Sequence, residues 1–341
     1  MDSMNSMNSI NSMNAGNKGL SNLGNTCYMN SAIQCLSHLL EFHPKNQLFL
    51  DENRSKDDIY GAWLNLQHEL WSNDDDKPIV PKPFLRKFMK ECHETDKAFY
   101  NFDQNDTEEF IEFFMDLLHR SMKKNITITI QGQVKDQLDK LAVKGFNSWS
   151  QFFKNDYSYI IQKFYSQLLS VTSCTECDYV TVNFDPCMVL SLEIPSDATS
   201  LTDCLDSYTK KVTLDCDNSW KCDKCNKYVE PDKKILLWKS SDVLIILLKR
   251  YSNSRKNNNF IDFSLDLDIS SYCLNYNSKG ILYKLSGICI QSGSLGGGHY
   301  YAMCKNELDQ TWREYNDTGV REVDEGHLLK QKPYCLFYRR I

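Results

Sequence analysis

The chain has 341 residues, enough for one large domain or two ordinary ones, and its 41% hydrophobic and 25% charged residues match a soluble globular composition. A net charge of −6 leaves no general nucleic-acid footprint, and no apolar stretch reaches membrane-spanning length. The N-terminus lacks the basic-then-apolar order of a secretory signal, so the fourteen cysteines read as reduced thiols, metal ligands and a nucleophile in an intracellular protein.

Residues 1–18 repeat a Met/Ile-Asn-Ser triplet with no apolar face and read as a disordered tail. Loop-forming residues follow from Gly19 to Thr26, then Cys27, then an amphipathic stretch. Met29, Ile33, Leu36 and Leu40 recur at helical spacing. This places Cys27 at a helix N-terminus, where unpaired amides and the macrodipole favour a thiolate. Asn22 lies five residues upstream, close enough to share the site. Residues 20–120 read mainly as helix. Phe110, Phe113, Phe114, Leu117 and Leu118 share one helix face, and Asp106 with Glu109 fits a capping arrangement at its start. Residues 125–155 are polar and irregular, read as a helix plus a loop insertion.

Strands dominate from about residue 165. Cys174-Thr175-Glu176-Cys177 and Cys222-Asp223-Lys224-Cys225 are two CxxC knuckles separated by a 44-residue segment. Two such pairs can close a tetrahedral zinc site without an open position, hence a structural one, if a long β-hairpin returns them to one point. Cys216 is the first competitor as a ligand, because Cys187 and Cys204 lack knuckle spacing. Asp242 to Leu248 is an apolar run read as a buried strand, Asn253 to Asn259 an exposed hairpin tip or loop, and Tyr283 to Cys289 an alternating strand. Near the C-terminus, Gly296-Gly297-Gly298-His299-Tyr300 and Trp312 to Asp317 flank a short polar segment and predict a hairpin. With its turn between Glu307 and Leu308, Met303 faces Trp312 and His299 faces Asn316. Asp317 then points to the opposite face unless a bulge rotates it into play as a second orienter.

A Cys nucleophile, a His base and an Asn orienter form the constellation of papain-like thiol hydrolases. The Cys27 amide and the Asn22 side chain are the candidate oxyanion donors. The chain resembles the ubiquitin-specific proteases, the largest group of deubiquitinating cysteine proteases. Gly19 to Leu36 is similar to the family's Cys box, and Gly298-His299-Tyr300 with Trp312 to Asp317 to its His box. Gln104-Asn105-Asp106-Thr107-Glu108-Glu109-Phe110 resembles its Gln-Gln-Asp box, and Leu247-Leu248-Lys249-Arg250-Tyr251 its Leu-Lys-Arg-aromatic element. The four occur in the family's order.

The resemblance implies a papain-like α+β domain over 19–341, with a helical thumb (about 19–125), β-stranded fingers carrying a zinc ribbon (about 165–245) and a β-rich palm from the remainder. It implies hydrolysis at the C-terminal glycine of ubiquitin, with Cys27, His299 and Asn316 as the triad. Gln104, Asp106, Glu109 and Tyr300 would contact ubiquitin, and Cys174, Cys177, Cys222 and Cys225 would hold zinc. Asp106 keeps two readings, helix cap and tail ligand. Ubiquitin and ubiquitinated proteins are the implied partners, with neither nucleic acid nor membrane. Departures from the family pattern are Asn105 for the second Gln, Tyr251 for Phe, Tyr165-Ser166 for a glycine, and Gln291 for His. None removes a triad member. Rival readings are a ubiquitin-binding pseudoenzyme, a protease for a ubiquitin-like modifier, and a zinc-ribbon nucleic-acid binder, which the net charge disfavours.

Overall fold

The computed structural model describes residues 15–46, 57–73, 77–97, 99, 103–252, 255–274, 280–294 and 297–341. Two layers meet at the core that holds Cys27. One is built of the helices α1 (Cys27–Ser37), α2 (Ile59–Leu70), α3 (Lys82–Glu94), α4 (Thr107–Met122) and α6 (Tyr159–Phe164), whereas α5 (Gln137–Phe153) packs on strand β2 (Val180–Cys187). The other is an eight-stranded sheet: β15 (Gly319–Val323), β14 (Trp312–Asn316), β13 (Gly297–Lys305), β12 (Leu282–Ser294), β16 (Pro333–Arg340), β8 (Val243–Lys249) and β3 (Val189–Glu193) in that order, with β11 (Asp266–Asp268) paired to β12. A four-stranded sheet, β2 (Val180–Cys187), β1 (Ser166–Ser173), β7 (Asp232–Lys239) and β4 (Val212–Thr213), stands apart from it. The stretch from 165 to 245 thus divides among three sheets: the four-stranded one, a two-stranded ribbon of β5 (Trp220–Lys221) and β6 (Tyr228–Val229), and the large one, which takes β3 and the start of β8.

The reason lies in the side chains of β8. Val243, Ile245 and Leu247 face the core shared with the helices, whereas Leu244, Ile246 and Leu248 face a second core against α7 (Leu201–Thr209). A strand buried on both faces reads as a continuous apolar run. Burying these six side chains is worth roughly 9–18 kcal/mol gross, which fixes the strand at the sheet interior.

Helix α1 lies within the first core, between α4 and strands β12, β13 and β14. All of its residues are buried, from Cys27 to Ser37. The expected stripe stops short of Leu40, which is 38% exposed beyond the helix end. On α4 the five spaced apolar residues are all buried, as their pattern predicts. Most of the Met/Ile-Asn-Ser repeat, residues 1–14, lies outside the described residues. Residues 15–18 are packed instead: Ala15 O accepts from Asn306 Nδ2 at 2.7 Å, Gly16 N donates to Leu70 O, and Lys18 Nζ reaches Ser72 Oγ. These backbone groups join the site-bearing sheet to the helices, which low local complexity could not reveal. Among the described residues no helix is long and apolar enough to cross a membrane.

Candidate active site and metal centre

The loop before α1 holds the Cys27 end open. Gly24 and Asn25 adopt φ values of 103° and 54°, and Thr26 makes no side-chain cap to the helix. Its hydroxyl serves the loop, accepting from Leu23 N and donating to Asn22 Oδ1. The first-turn amides of α1 are therefore spared for a ligand or a charge. The thiol is 5% exposed, and burial pushes it above its ordinary pKa, against the helix-terminus expectation. The Tyr300 amide pulls it down, Asp317 repels its negative charge, and the Tyr28 and Cys27 amides pull it down again. Tyr300 adjoins His299, so the same interaction puts the thiol beside the histidine strand.

His299 Nε2 meets Asn316 Oδ1 at 2.6 Å. An amide oxygen only accepts, so Nε2 carries the proton and Nδ1 keeps the lone pair of a base. The expected register is corrected here. Met303 pairs with Glu314 and Lys305 with Trp312, two residues away from the predicted alignment, because the connection closes around Asn306 to Thr311. A shift of two preserves the face of every side chain. His299 therefore still meets Asn316, as a diagonal neighbour beyond the last paired residues, Ala302 and Tyr315.

Asp317 follows Asn316 in the left-handed region, with φ 49°. Its carboxylate accepts from Asn22 Nδ2 at 3.0 Å and from Asn30 Nδ2 at 2.8 Å, and its carbonyl accepts from Leu20 N. Asn22 Oδ1 accepts from the amides of Gly24 and Thr26. With its oxygen anchored and one Nδ2 proton on Asp317, the exposed Asn22 retains a second Nδ2 proton for an oxyanion. Asn30 was missed by motif reading; a polar residue in a helix buried all round is its signal.

The Gln-Gln-Asp box docks on the histidine strand. Gln104 bonds both the N–H and the C=O of Gly298, at 3.1 and 3.2 Å. A Cβ on Gly298 would stand 2.8 Å from Ser292 O and collide with Gln291, so the close approach requires glycine. Asp106 caps α4 through the Glu108 amide at 2.6 Å and accepts from Tyr334 Oη at 2.6 Å. Burial raises its pKa against those bonds. Tyr300 is buried beside it with a phenol pushed far up by desolvation, and Glu109 is exposed on the first turn. Two departures from the family pattern touch each other. Tyr251 Oη donates to Gln291 Oε1, which Lys256 Nζ also reaches. The buried Arg250 fixes that hairpin, donating to Pro333 O, Asn257 O and Asn259 O. Asn105 donates to Asp103 O and reaches Tyr28 Oη. The Asn-rich tip is described only in part, and residues 253–254 and Gly296 lie outside the described set.

The four knuckle sulfurs converge within 4.8 Å of one another, with Cys174 and Cys225 at 3.9 Å and Cys177 and Cys222 at 3.7 Å. Four sulfurs about 2.3 Å from a tetrahedral zinc stand about 3.8 Å apart, so the donor set fits that ion. Cys216 is exposed and outside the cluster. The knuckles do not close one long hairpin, as spacing suggested. They cap two: the turn between β1 and β2, and the turn between β5 (Trp220–Lys221) and β6 (Tyr228–Val229). The segment between them passes through the large sheet and α7 before returning.

Comparison with known proteins gives the same picture. The sequence profile described as ubiquitin carboxyl-terminal hydrolase matches residues 18–338. The chain is 32% identical over 336 residues to ubiquitin carboxyl-terminal hydrolase Usp2 of Drosophila melanogaster, covering 94% of this chain and 34% of that protein. It is 30% identical to the human ubiquitin carboxyl-terminal hydrolase 2, covering 93% of this chain and 54% of that one. It thus spans about a third to a half of these relatives. Among solved structures it superposes on a SAGA DUB module with Ubp8 bound to monoubiquitin at a TM-score of 0.74 and 26% identity, covering 97% of this chain and 70% of that one. The chain belongs to the ubiquitin carboxyl-terminal hydrolase family, with the α+β fold of its ubiquitin-specific proteases.

Proposed function

We propose that this chain is a deubiquitinating thiol hydrolase acting at the C-terminal glycine of ubiquitin. The observation that carries the reading is the 2.6 Å bond from His299 Nε2 to Asn316 Oδ1, on a strand whose Tyr300 amide reaches the Cys27 thiol. His299 Nδ1 takes the Cys27 proton, and the thiolate attacks the glycine carbonyl. The oxyanion is met by the Cys27 amide and the free Nδ2 proton of Asn22. His299 then protonates the leaving amine, alcohol or thiol. Water, deprotonated by His299, hydrolyses the thioester and restores the thiol.

The helices before about residue 125 serve as thumb and the large sheet as palm. The four-stranded sheet forms fingers whose tip Cys174, Cys177, Cys222 and Cys225 hold with a structural zinc. Gln104, Asp106, Glu109 and Tyr300 face the ubiquitin tail. The test is covalent labelling by ubiquitin carrying an electrophilic C-terminus, alongside hydrolysis of a fluorogenic ubiquitin amide. Wild type labels and turns over; Cys27→Ala does neither yet keeps ubiquitin affinity. Turnover by Cys27→Ala at the wild-type rate sinks the mechanism. Exclusive labelling by an electrophilic ubiquitin-like probe moves the substrate to that modifier.

A further inference from the structure

Between α4 and α5 the chain reads Asn125-Ile126-Thr127-Ile128-Thr129-Ile130-Gln131. Alternating β-branched residues favour a strand, yet among the described residues no sheet takes up this run. One edge of it is used at its start. Lys124 exchanges backbone bonds with Tyr157 at 2.8 and 3.1 Å, and Ile126 N donates to Lys154 O at 2.9 Å. In extended chain the amides and carbonyls of alternate residues point to opposite edges. The even residues therefore address the 154–157 side, and the odd ones, Asn125, Thr127, Thr129 and Gln131, address the other. Among the described residues, the main-chain groups of 127–131 have no backbone partner. Ile128 packs against Trp149, Phe153 and Ile161, Thr127 and Thr129 are exposed, and Ile130 is 45% exposed. Gly132, with φ 135°, follows the run.

Ile126 to Ile130 is also a palindrome about Ile128, flanked by the two amides Asn125 and Gln131. Antiparallel pairing with a second copy across a two-fold axis at that residue sets Ile126 against Ile130, Thr127 against Thr129 and Asn125 against Gln131. Like meets like at each position, and Thr–Thr and β-branched cross-strand pairs are favourable ones. On the axis Ile128 forms a non-hydrogen-bonded pair, so Thr127 and Thr129 exchange both N–H···O bonds, using the edge the fold leaves free. The flanks select the direction. Antiparallel, Lys123 meets Gln133 and Lys124 meets Gly132; parallel and in register, each lysine would oppose its own copy. An exposed unprotected edge of this kind is a template for another strand. We propose that the occupant is a second copy of this chain, joined through residues 125–131 as an isologous antiparallel strand pair. So short an edge falls below the about 1,200 Å² of a stable interface, and the dimer is correspondingly weak and concentration-dependent.

Sedimentation velocity of the whole chain in reducing buffer, from roughly 10 µM to 1 mM, reads the association directly. Wild type shifts toward dimer across that range. Thr129→Pro, which removes an outward-facing N–H, stays monomeric with an unchanged circular dichroism spectrum and melting temperature. Register is read by disulfide trapping with diamide in a Cys216→Ser background. Ile128→Cys cross-links to itself, the about 4.5 Å Cα separation of such a pair lying within disulfide range. Ile126→Cys and Ile130→Cys stay uncross-linked alone and join when mixed. A wild type monomeric throughout overturns the proposal, as does a dimer that persists in Thr129→Pro. Self-cross-linking of Ile126→Cys as fast as Ile128→Cys does so too. A monomer that takes up a foreign extended peptide along 125–131 assigns the edge to another chain and overturns self-pairing.

Discussion

Replacing Asn316 with alanine isolates the single contact on which the proposed triad depends. Asn316 is exposed, and its Oδ1 lies 2.6 Å from His299 Nε2. Truncation therefore opens no core cavity, and stability should stay within about 0.5 kcal/mol of wild type. During the attack His299 becomes an imidazolium, which converts this bond into one to a charged group, worth about 1.5–3 kcal/mol. At 1.36 kcal/mol per factor of ten, kcat should fall roughly 13- to 160-fold. The bond takes on its charged character only as the proton moves in the attack, so KM for a ubiquitin substrate should change little. Initial rates of fluorophore release from a ubiquitin amide give both constants, and Asn316→Asp, which keeps an acceptor oxygen, should retain most of the rate. Asp317→Ala should act by a different route, through Asn22 and Asn30, so its loss should be non-additive with that of Asn22→Ala. A fall in kcat of less than about threefold in a folded Asn316→Ala refutes the assignment, since even a weak orienting bond of 0.7 kcal/mol gives that much.

Metal analysis of reduced protein should give about one zinc per chain, and Cys222→Ser or a strong chelator should remove it and lower the melting temperature, because a closed thiolate site couples metal affinity to folding; metal-free protein with an unchanged melting temperature overturns the assignment. Asp106→Asn should stabilise the fold at neutral pH. Burial raises the Asp106 pKa in the folded state, so the native carboxyl binds its proton more tightly than the unfolded one, and stability falls as pH rises from the ordinary carboxylate value through the raised one. Denaturant titrations from pH 4 to 8 should show that decline reduced in the variant; a steeper decline contradicts the sign. The same variant separates the two readings of Asp106, since a tail ligand raises KM more than it lowers kcat. Arg250→Met should cost about 2–4 kcal/mol by denaturant unfolding, because the carbonyls of Pro333, Asn257 and Asn259 lose their donor; a loss below about 0.5 kcal/mol shows that water replaces the guanidinium.

The sequence by itself determined what local chemistry and periodicity can encode. The stripe of α4 follows from 3.6-residue spacing, the two-faced burial of β8 from an unbroken apolar run, and the knuckles from CxxC spacing. His299 and Asn316 were legible as same-face residues because strand side chains repeat every two positions, so even a two-residue error in register left them together. Tertiary structure decided what depends on distant groups. The hairpin register was set by a loop that closes around Asn306, which residue types did not specify. The Cys27 pKa was decided by burial in a core built from α4 and three strands, a desolvation that outweighs the amides of its own helix terminus. Asp317 accepts from Asn22 and Asn30, residues nearly three hundred positions away, contacts that its place after the strand did not announce. Spacing brings residues onto a common face over a few turns of chain; only the packing of helices on the sheet fixes which charges and donors share a solvent-free space, and so what each of them can do.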